Sequence, residues 1–498
     1  MKEITVFKIL SSFSSKELKE FGLFLESPAF APRRKTKSLY EILLRDYKKI
    51  DESKLDKEKI YKELFKEDYK RSGYSDATMR HLLYELQLCA DRYLVMKAVE
   101  NDIGLFASIR RKEYRNRKLD KLYIKALDES EKMLDKDIAL SSEYFLNKYN
   151  IILERKNFES MYSDFLIKRN KKVGIEEIDD IAKNLTYYFL LGLLYLNDGA
   201  DKYSKRFNNE YEKSFLYQLS QKIDITDFVS FLKEGAGDDE AGKLFSIYER
   251  FFKLFEKSDV KEYKKLKKYV LQHIHLFGTN FRSHIFFQFV KYSSINMMKE
   301  DHGKDFKKEL FNIFKLMVDE GYHEHTEGTY FQVDFFRVLF LMGCDEGELD
   351  WTESFVKRFA PELPPEFSKT SLNCGLAYVK FGRGDFDGAL DSLNKMQNEY
   401  FNMEIDKKLL MIKIFYETKA YEQAISLVNS MQKYIDESKK VSFTLKEKIN
   451  NFLKLTLKLI KLSGKVSSRG ASTDLRYEIE KEEQLYGKKW LLEKVENY

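Results

Sequence analysis

Cysteine and proline are both scarce in this chain of 498 residues. The three cysteines, Cys89, Cys344 and Cys374, stand far apart and in no ligand spacing. That excludes a disulfide framework and a cysteine-based zinc site, and a reducing compartment, the cytoplasm, is the expected location. The five prolines are Pro28, Pro32, Pro361, Pro364 and Pro365, with none between Pro32 and Pro361. An interior proline removes a backbone donor and clashes with the preceding turn, so a long stretch without one suits helices. Long apolar runs are missing too. The richest, Tyr187 to Leu196, is too short to cross a bilayer, and the opening segment carries Glu3 and Lys8, unlike a signal peptide. No membrane partner is expected.

What is present favours an all-α fold: 43% hydrophobic and 34% charged residues, rich in Lys, Glu and Leu, all tolerant of helix. Phenylalanine and tyrosine are abundant, 40 and 32 residues against two tryptophans. Such rings fill the grooves between packed helices; the alternative is a set of stacking platforms for bases or peptide side chains.

The expected organisation is an N-terminal helical bundle followed by an α-solenoid of antiparallel helix pairs. Residues 1–104 read as the bundle, 105–342 as irregular helical hairpins, 343–462 as repeats, and 463–498 as a loop with a capping helix. In the bundle, Ser14 followed by Glu17 marks a helix start. Helical spacing then recurs over 37–49, 56–67 and 75–100. In the last of these Met79, Leu82, Leu83, Leu86, Leu88, Tyr93 and Leu94 cover a wide arc, which predicts a central helix. Breaks are expected near Lys156-Asn157, Lys172-Val173-Gly174, Asn197-Asp198-Gly199, Gly235-Ala236-Gly237, Gly278-Thr279-Asn280 and Glu320-Gly321.

Two segments 35 residues apart repeat one pattern: Gly384-Asp385-Phe386-Asp387-Gly388-Ala389-Leu390 and Lys419-Ala420-Tyr421-Glu422-Gln423-Ala424-Ile425. Each reads as turn, aromatic, two polar residues, alanine, aliphatic, and a fainter echo at Trp351, Ser354 and Phe355 precedes them at the same spacing. A period of this length is typical of helix-turn-helix repeats, where alanine lets helices approach beside an aromatic wedge. With Leu376-Ala377 and Phe415 on the preceding helices, residues 365–438 resemble the tetratricopeptide repeat family, with Lys380 where an aromatic is usual. The resemblance implies TPR-like antiparallel helix pairs whose first helices face a protein or peptide partner. It makes Tyr378, Lys380, Phe381, Phe415 and Tyr416 the candidate groove residues.

Other motifs read as structure. Gly237-Asp238-Asp239-Glu240-Ala241-Gly242-Lys243-Leu244 has the glycines and lysine of a phosphate loop. Leu244 replaces the hydroxyl that would hold magnesium, however, and three carboxylates would repel phosphate. Six of the seven histidines fall between His273 and His325, but His273/His275 and His323/His325 are two apart and diverge on a helix, so no metal or other cofactor is expected. Arg383-Gly384-Asp385, an adhesion-like tripeptide, sits in the predicted repeat turn. No nucleophile elbow or paired-carboxylate signature appears, and an enzyme is not expected.

Charge is unevenly spread. Residues 1–130 hold 29 Lys and Arg against 22 Asp and Glu, leaving 58 against 59 for the rest. The excess concentrates at Arg33, Arg34, Lys35 and Lys37 and at Arg110, Arg111, Lys112, Arg115, Arg117 and Lys118. The repeat pattern makes a non-enzymatic protein–protein interaction scaffold or adaptor the expected function; the alternative, from the charge, is a nucleic-acid-binding regulator using this basic patch while the repeats bind a partner.

Overall fold

The computed structural model describes residues 5–27, 29, 34–46, 56–136, 139–161, 175–207, 211–297, 303–323, 330–396, 401–438, 441, 443–463 and 469–497. Among them no strand occurs; apart from short 3₁₀ turns and one isolated backbone bridge, Leu140 to Phe277, every regular element is an α-helix. The protein is all-α. It forms two compact units, Met1–Ile138 with Leu146–Leu185, and Ala139–Phe145 with Thr186–Tyr498. The boundary read at residue 104 falls inside the first.

The first unit holds α1 (Thr5–Ser12), α2 (Ser15–Phe24), α3 (Arg34–Asp46), α4 (Lys57–Leu64), α5 (Lys66–Ser72), α6 (Asp76–Asn101), α7 (Ile103–Asn116) and α8 (Asp120–Lys136). It also takes most of α9 (Ser142–Met161) and the start of α10 (Ile175–Phe207). Helix α2 opens on the expected capping box: Ser14 Oγ accepts from the Glu17 amide at 3.2 Å and Glu17 Oε2 accepts from the Ser14 amide at 2.7 Å. Helix α6 packs against α1, α2, α3 and α4 around Phe21, Tyr40 and Tyr93. Its wide apolar arc is really two faces. Met79, Leu82, Leu83, Leu86 and Tyr93 enter the core, whereas Leu88 and Leu94 stay exposed.

The second unit continues through α11 (Phe215–Ser220), α12 (Ile225–Ala236), α13 (Glu240–Glu256), α14 (Val260–His273), α15 (Thr279–Asn296) and α16 (Gly303–Asp319). There follow α17 (Val333–Glu346), α18 (Leu349–Phe359), α19 (Pro365–Gly382), α20 (Phe386–Asn394), α21 (Phe401–Glu417), α22 (Tyr421–Glu437), α23 (Phe443–Ser463), α24 (Arg469–Lys481) and α25 (Lys488–Val495). Aromatic packing dominates the interior. Phe251 meets Phe289 edge-on at 4.8 Å, Tyr263 stacks on Tyr292 at 4.9 Å, and among the described residues the largest fully buried side chains are all tyrosine or phenylalanine.

Breaks fall as read after Ala236, at Gly278 and after Asp319. The break expected at Lys172-Val173-Gly174 lies outside the described residues. Two expected breaks do not occur, because α9 runs through Asn157 and α10 through Gly199. An interior glycine costs a helix about 1 kcal/mol, and α10 is anchored nearby by the buried Leu190, Leu191, Leu193 and Leu194, which outweighs that penalty. The single C-terminal helix expected from sequence is split, with α24 and α25 meeting at Gly487 in the left-handed region.

Four helix pairs share one turn. At Gly347, Gly384, Lys419 and Lys118 φ is 81°, 79°, 59° and 56°. In each the left-handed residue donates three positions back and its successor five back: Glu348 to Gly343 O at 2.9 Å, Asp385 to Lys380 O at 2.9 Å, Ala420 to Phe415 O at 2.7 Å, and Leu119 to Tyr114 O at 2.9 Å. This is the Schellman closure, which satisfies carbonyls the first helix leaves open. The turns at Gly384 and Lys419 keep the 35-residue spacing, but Gly347 lies 37 before Gly384, so the echo at Trp351 is not in register with the turns.

Lysine is a strained choice at this position. A left-handed L-residue costs about 1–2 kcal/mol, partly offset by glycine's larger entropy loss on folding. Lys419→Gly is expected to stabilise the second unit by about 0.5–1 kcal/mol, seen as a higher urea midpoint. A lowered midpoint would contradict the turn assignment.

Candidate interaction surfaces

The basic residues do not form one open patch. Arg33 and the side chain of Arg34 lie outside the described residues. On α3, Lys35 bonds the Leu64 carbonyl and lies 4.2 Å from the centroid of the Phe65 ring, and Lys37 pairs with Glu26 at 2.8 Å. On α7, Arg111 is only 5% exposed. It reaches Glu154 at 3.0 Å and Ser130 Oγ at 2.7 Å, while Arg155, next along from Glu154, pairs with Asp128 and Glu131. Arg110 pairs with Glu129 and Arg117 with Glu113. Lys112, Arg115 and Lys118 remain exposed, and none of the three forms an ion pair among the described residues.

Around these cations the helix surface is apolar. Helix α7 buries Ala107 and Arg111 and turns Ile103, Leu105, Phe106 and Ile109 outward, at 66%, 43%, 47% and 43% exposure. Leu105, Ile109 and Lys112 follow one another at helical spacing, so the apolar stripe runs into the cationic end. On α6, which joins α7 through the shared cap Asp102, Tyr84, Leu88 and Val95 are also exposed and share one helical line. The sequence signal for this was the all-round apolarity of α6, which reads as a buried helix until its second face is seen to be outward.

The five groove candidates are drawn into packing. Tyr378 is buried, its hydroxyl donating to the Asp406 carbonyl at 3.1 Å and lying 3.3 Å from the Tyr486 hydroxyl. Lys380 stands where an aromatic was looked for because it bridges its own helix pair, donating to Gly388 O and Ser392 Oγ, both at 3.1 Å. Phe381 packs on Phe386 at 5.7 Å. Phe415 is partly buried against the C-terminal core. Tyr416 is buried edge-on to Trp490 at 5.2 Å. Helix α25 is thus more than an end cap: Trp490 Nε1 donates to Glu417 at 2.7 Å, Lys494 pairs with Glu417 at 2.9 Å, and Lys489 reaches the Asp345 carbonyl on α17.

Beneath that contact lies a polar centre that sequence reasoning missed. Arg337 on α17 grips Asp406 on α21 with two hydrogen bonds, one of 2.7 Å to Oδ1, and Asp406 is fully buried. Burial raises the Asp406 carboxyl above the usual range, and Arg337 only partly opposes it. Burial also works against the guanidinium, but the Asp406 bond and charge outweigh it and push its pKa up. Seven residues on, Lys413 lies 5.8, 5.4 and 5.7 Å from the ring centroids of Phe452, Tyr486 and Trp490. Burial lowers its pKa to about 8, although Asp345, Asp406 and Glu417 pull upward. The available signal was Asp406 and Lys413 at i and i+7, the same face, in a helix otherwise lined by Met403, Ile405, Leu409, Leu410 and Ile412.

The remaining motifs are structural where described. Asp239 caps α13 by accepting from the Gly242 amide at 2.7 Å, which places a carboxylate where a phosphate would lie. Asp385 caps α20 through the Gly388 amide at 2.9 Å, and Arg383 pairs with Asp350 and Glu353. His273 and His323 each bond a backbone carbonyl, and His284 lies 2.7 Å from the Tyr248 hydroxyl; His325 is outside the described residues. Among the described residues no three His, Cys, Asp or Glu gather as a metal site, and no helix is long and apolar enough to cross a membrane. Burial raises the thiol pKa of Cys89 and Cys374 and takes Cys344 to about 12, so none is a ready thiolate. No protein-family model matches the chain, and neither a curated protein nor a solved structure resembles it at a significant level.

Proposed function

We propose that the protein is a non-enzymatic interaction scaffold that docks a protein partner. The observation that carries this reading is the outward apolar stripe of α7, Ile103, Leu105, Phe106 and Ile109, on a helix whose inward face holds an arginine. Folding alone has no use for that arrangement, since burying those side chains would gain about 1.5–3 kcal/mol each, and contiguous apolar surface of this kind marks binding sites. The helix pairs of 343–462, with their tetratricopeptide-like pattern, fit the same class of protein. The test is affinity capture with the full chain, followed by direct binding of the recovered partner to purified wild type and to Phe106→Asp/Ile109→Asp. At least a tenfold loss in the variant is expected, on the order of 1.4 kcal/mol. A partner indifferent to the variant would overturn the assignment of this face.

The second reading is a nucleic-acid-binding regulator, favoured by the exposed Lys112, Arg115 and Lys118. It requires retardation of duplex or single-stranded nucleic acid by the full chain at low salt, weakened by charge reversal at these three positions. Absence of any shift would dismiss it.

A further inference from the structure

We infer that the partner presents an amphipathic helix with acidic residues along one flank, laid against α7. The inference rests on the scaffold reading and names the chemistry of its partner. Three observations on the page define that chemistry. The apolar positions of α7 repeat at helical spacing, Leu105 and Ile109 on one line with Phe106 beside it, which suits anchors at i, i+3, i+4 and i+7 of a facing helix. Lys112 and Arg115 border this line on one side, exposed and in no ion pair among the described residues. Glu113, paired to Arg117, falls between Ile109 and Phe106 around the helix, within the apolar face.

The charge order selects the occupant. Cations along one edge attract a carboxylate-bearing flank and raise the association rate. The Glu113 carboxylate amid the apolar anchors disfavours an anionic bilayer, which would have to take it up together with them. A nucleic acid would gain from the cations but nothing from Leu105, Phe106 and Ile109. A protein helix, acidic on one flank, meets the cationic edge and packs its apolar stripe on the anchors.

The test uses the full chain and fluorescence anisotropy with three labelled probes. These are a synthetic amphipathic helix of about 15 residues with a leucine stripe and a glutamate flank, the same peptide with lysine replacing glutamate, and a short DNA duplex. Phosphatidylserine vesicles form a fourth arm, read by co-sedimentation. The glutamate peptide is expected to bind wild type, about tenfold more weakly to Phe106→Asp/Ile109→Asp and about tenfold more weakly to Lys112→Glu/Arg115→Glu. Raising salt from about 50 to about 300 mM is expected to erase most of the difference between wild type and the charge-reversed variant. All four positions are exposed, so the variants are expected to keep wild-type helicity by circular dichroism, and the two act independently of each other.

Equal binding of the glutamate and lysine peptides, binding unaffected by either variant, no peptide binding at all, or preferential binding of vesicles or duplex would each overturn the inference. A captured natural partner lost on Phe106→Asp/Ile109→Asp but lacking an acidic amphipathic helix would overturn it while leaving the scaffold reading in place.

Discussion

Arg337→Ala is expected to destabilise the second unit by about 3–5 kcal/mol, because it leaves the Asp406 carboxylate buried without its partner. Both carboxylate oxygens accept from the guanidinium and Asp406 is fully buried, so water cannot substitute for the lost donors. The neighbouring Tyr378 hydroxyl gives no relief, since it already donates to the Asp406 backbone carbonyl. Arg337→Met combined with Asp406→Leu removes both charges and is expected to recover most of the loss. Urea denaturation followed by tryptophan emission measures this selectively, because the protein's two tryptophans, Trp351 and Trp490, both belong to the second unit. A single variant within about 1 kcal/mol of wild type would show that the pair is dispensable.

Lys413→Met is expected to act in the opposite direction. Its folded-state pKa is about 8 against an ordinary value of 10.5, so holding the ammonium in the folded protein costs up to about 3 kcal/mol at neutral pH. The three surrounding rings return part of that through cation–π attraction, about 1 kcal/mol or more, and methionine keeps a polarizable chain against the same rings. A net gain of about 2 kcal/mol near pH 7 follows.

The pH dependence has a definite sign. Between about 8 and 10.5 the unfolded chain binds the Lys413 proton and the folded chain does not, so wild-type stability from this group rises across that window. The variant's advantage is therefore full below about pH 8 and shrinks toward 10.5. Urea midpoints at about pH 7 and about pH 9.5 decide it: a variant less stable at the lower pH, or an advantage unchanged between the two, would refute the assignment of a strained ammonium.

Much of the local structure was legible. Ser14 and Glu17 announce α2, Gly384-Asp385 announces a turn and a cap, and proline-free amphipathic runs become helices. What sequence did not disclose depends on partners far along the chain. Nothing near Asp406 signals Arg337, which lies 69 residues away. Nothing near Tyr378 signals Tyr486, 108 residues on. The groove candidates were chosen from helix position alone, and the space before Tyr378 and Tyr416 is taken by Tyr486 and by Trp490 of α25. The helix break read at Gly199 failed for a related reason: a local penalty of about 1 kcal/mol yields to burial of the leucines just before it on the same helix. On α7, Arg111, read as part of a basic patch, turns inward while Phe106 turns outward, because Ser130 on α8 and Glu154 on α9 supply partners for the guanidinium.

The position of α25 bears on the order of assembly at the ribosome. Trp490, Lys489 and Tyr486 touch α17, α19, α21 and α23, and α25 emerges after all of them. Helix pairs joined by tight turns form from local contacts within the nascent chain, but the surface bearing Tyr378, Lys413 and Phe452 stays uncovered until α25 has been synthesised and docks. For that interval the growing chain displays aromatic side chains that the finished one hides, and this is when it is most open to aggregation and to chaperones that bind exposed apolar surface.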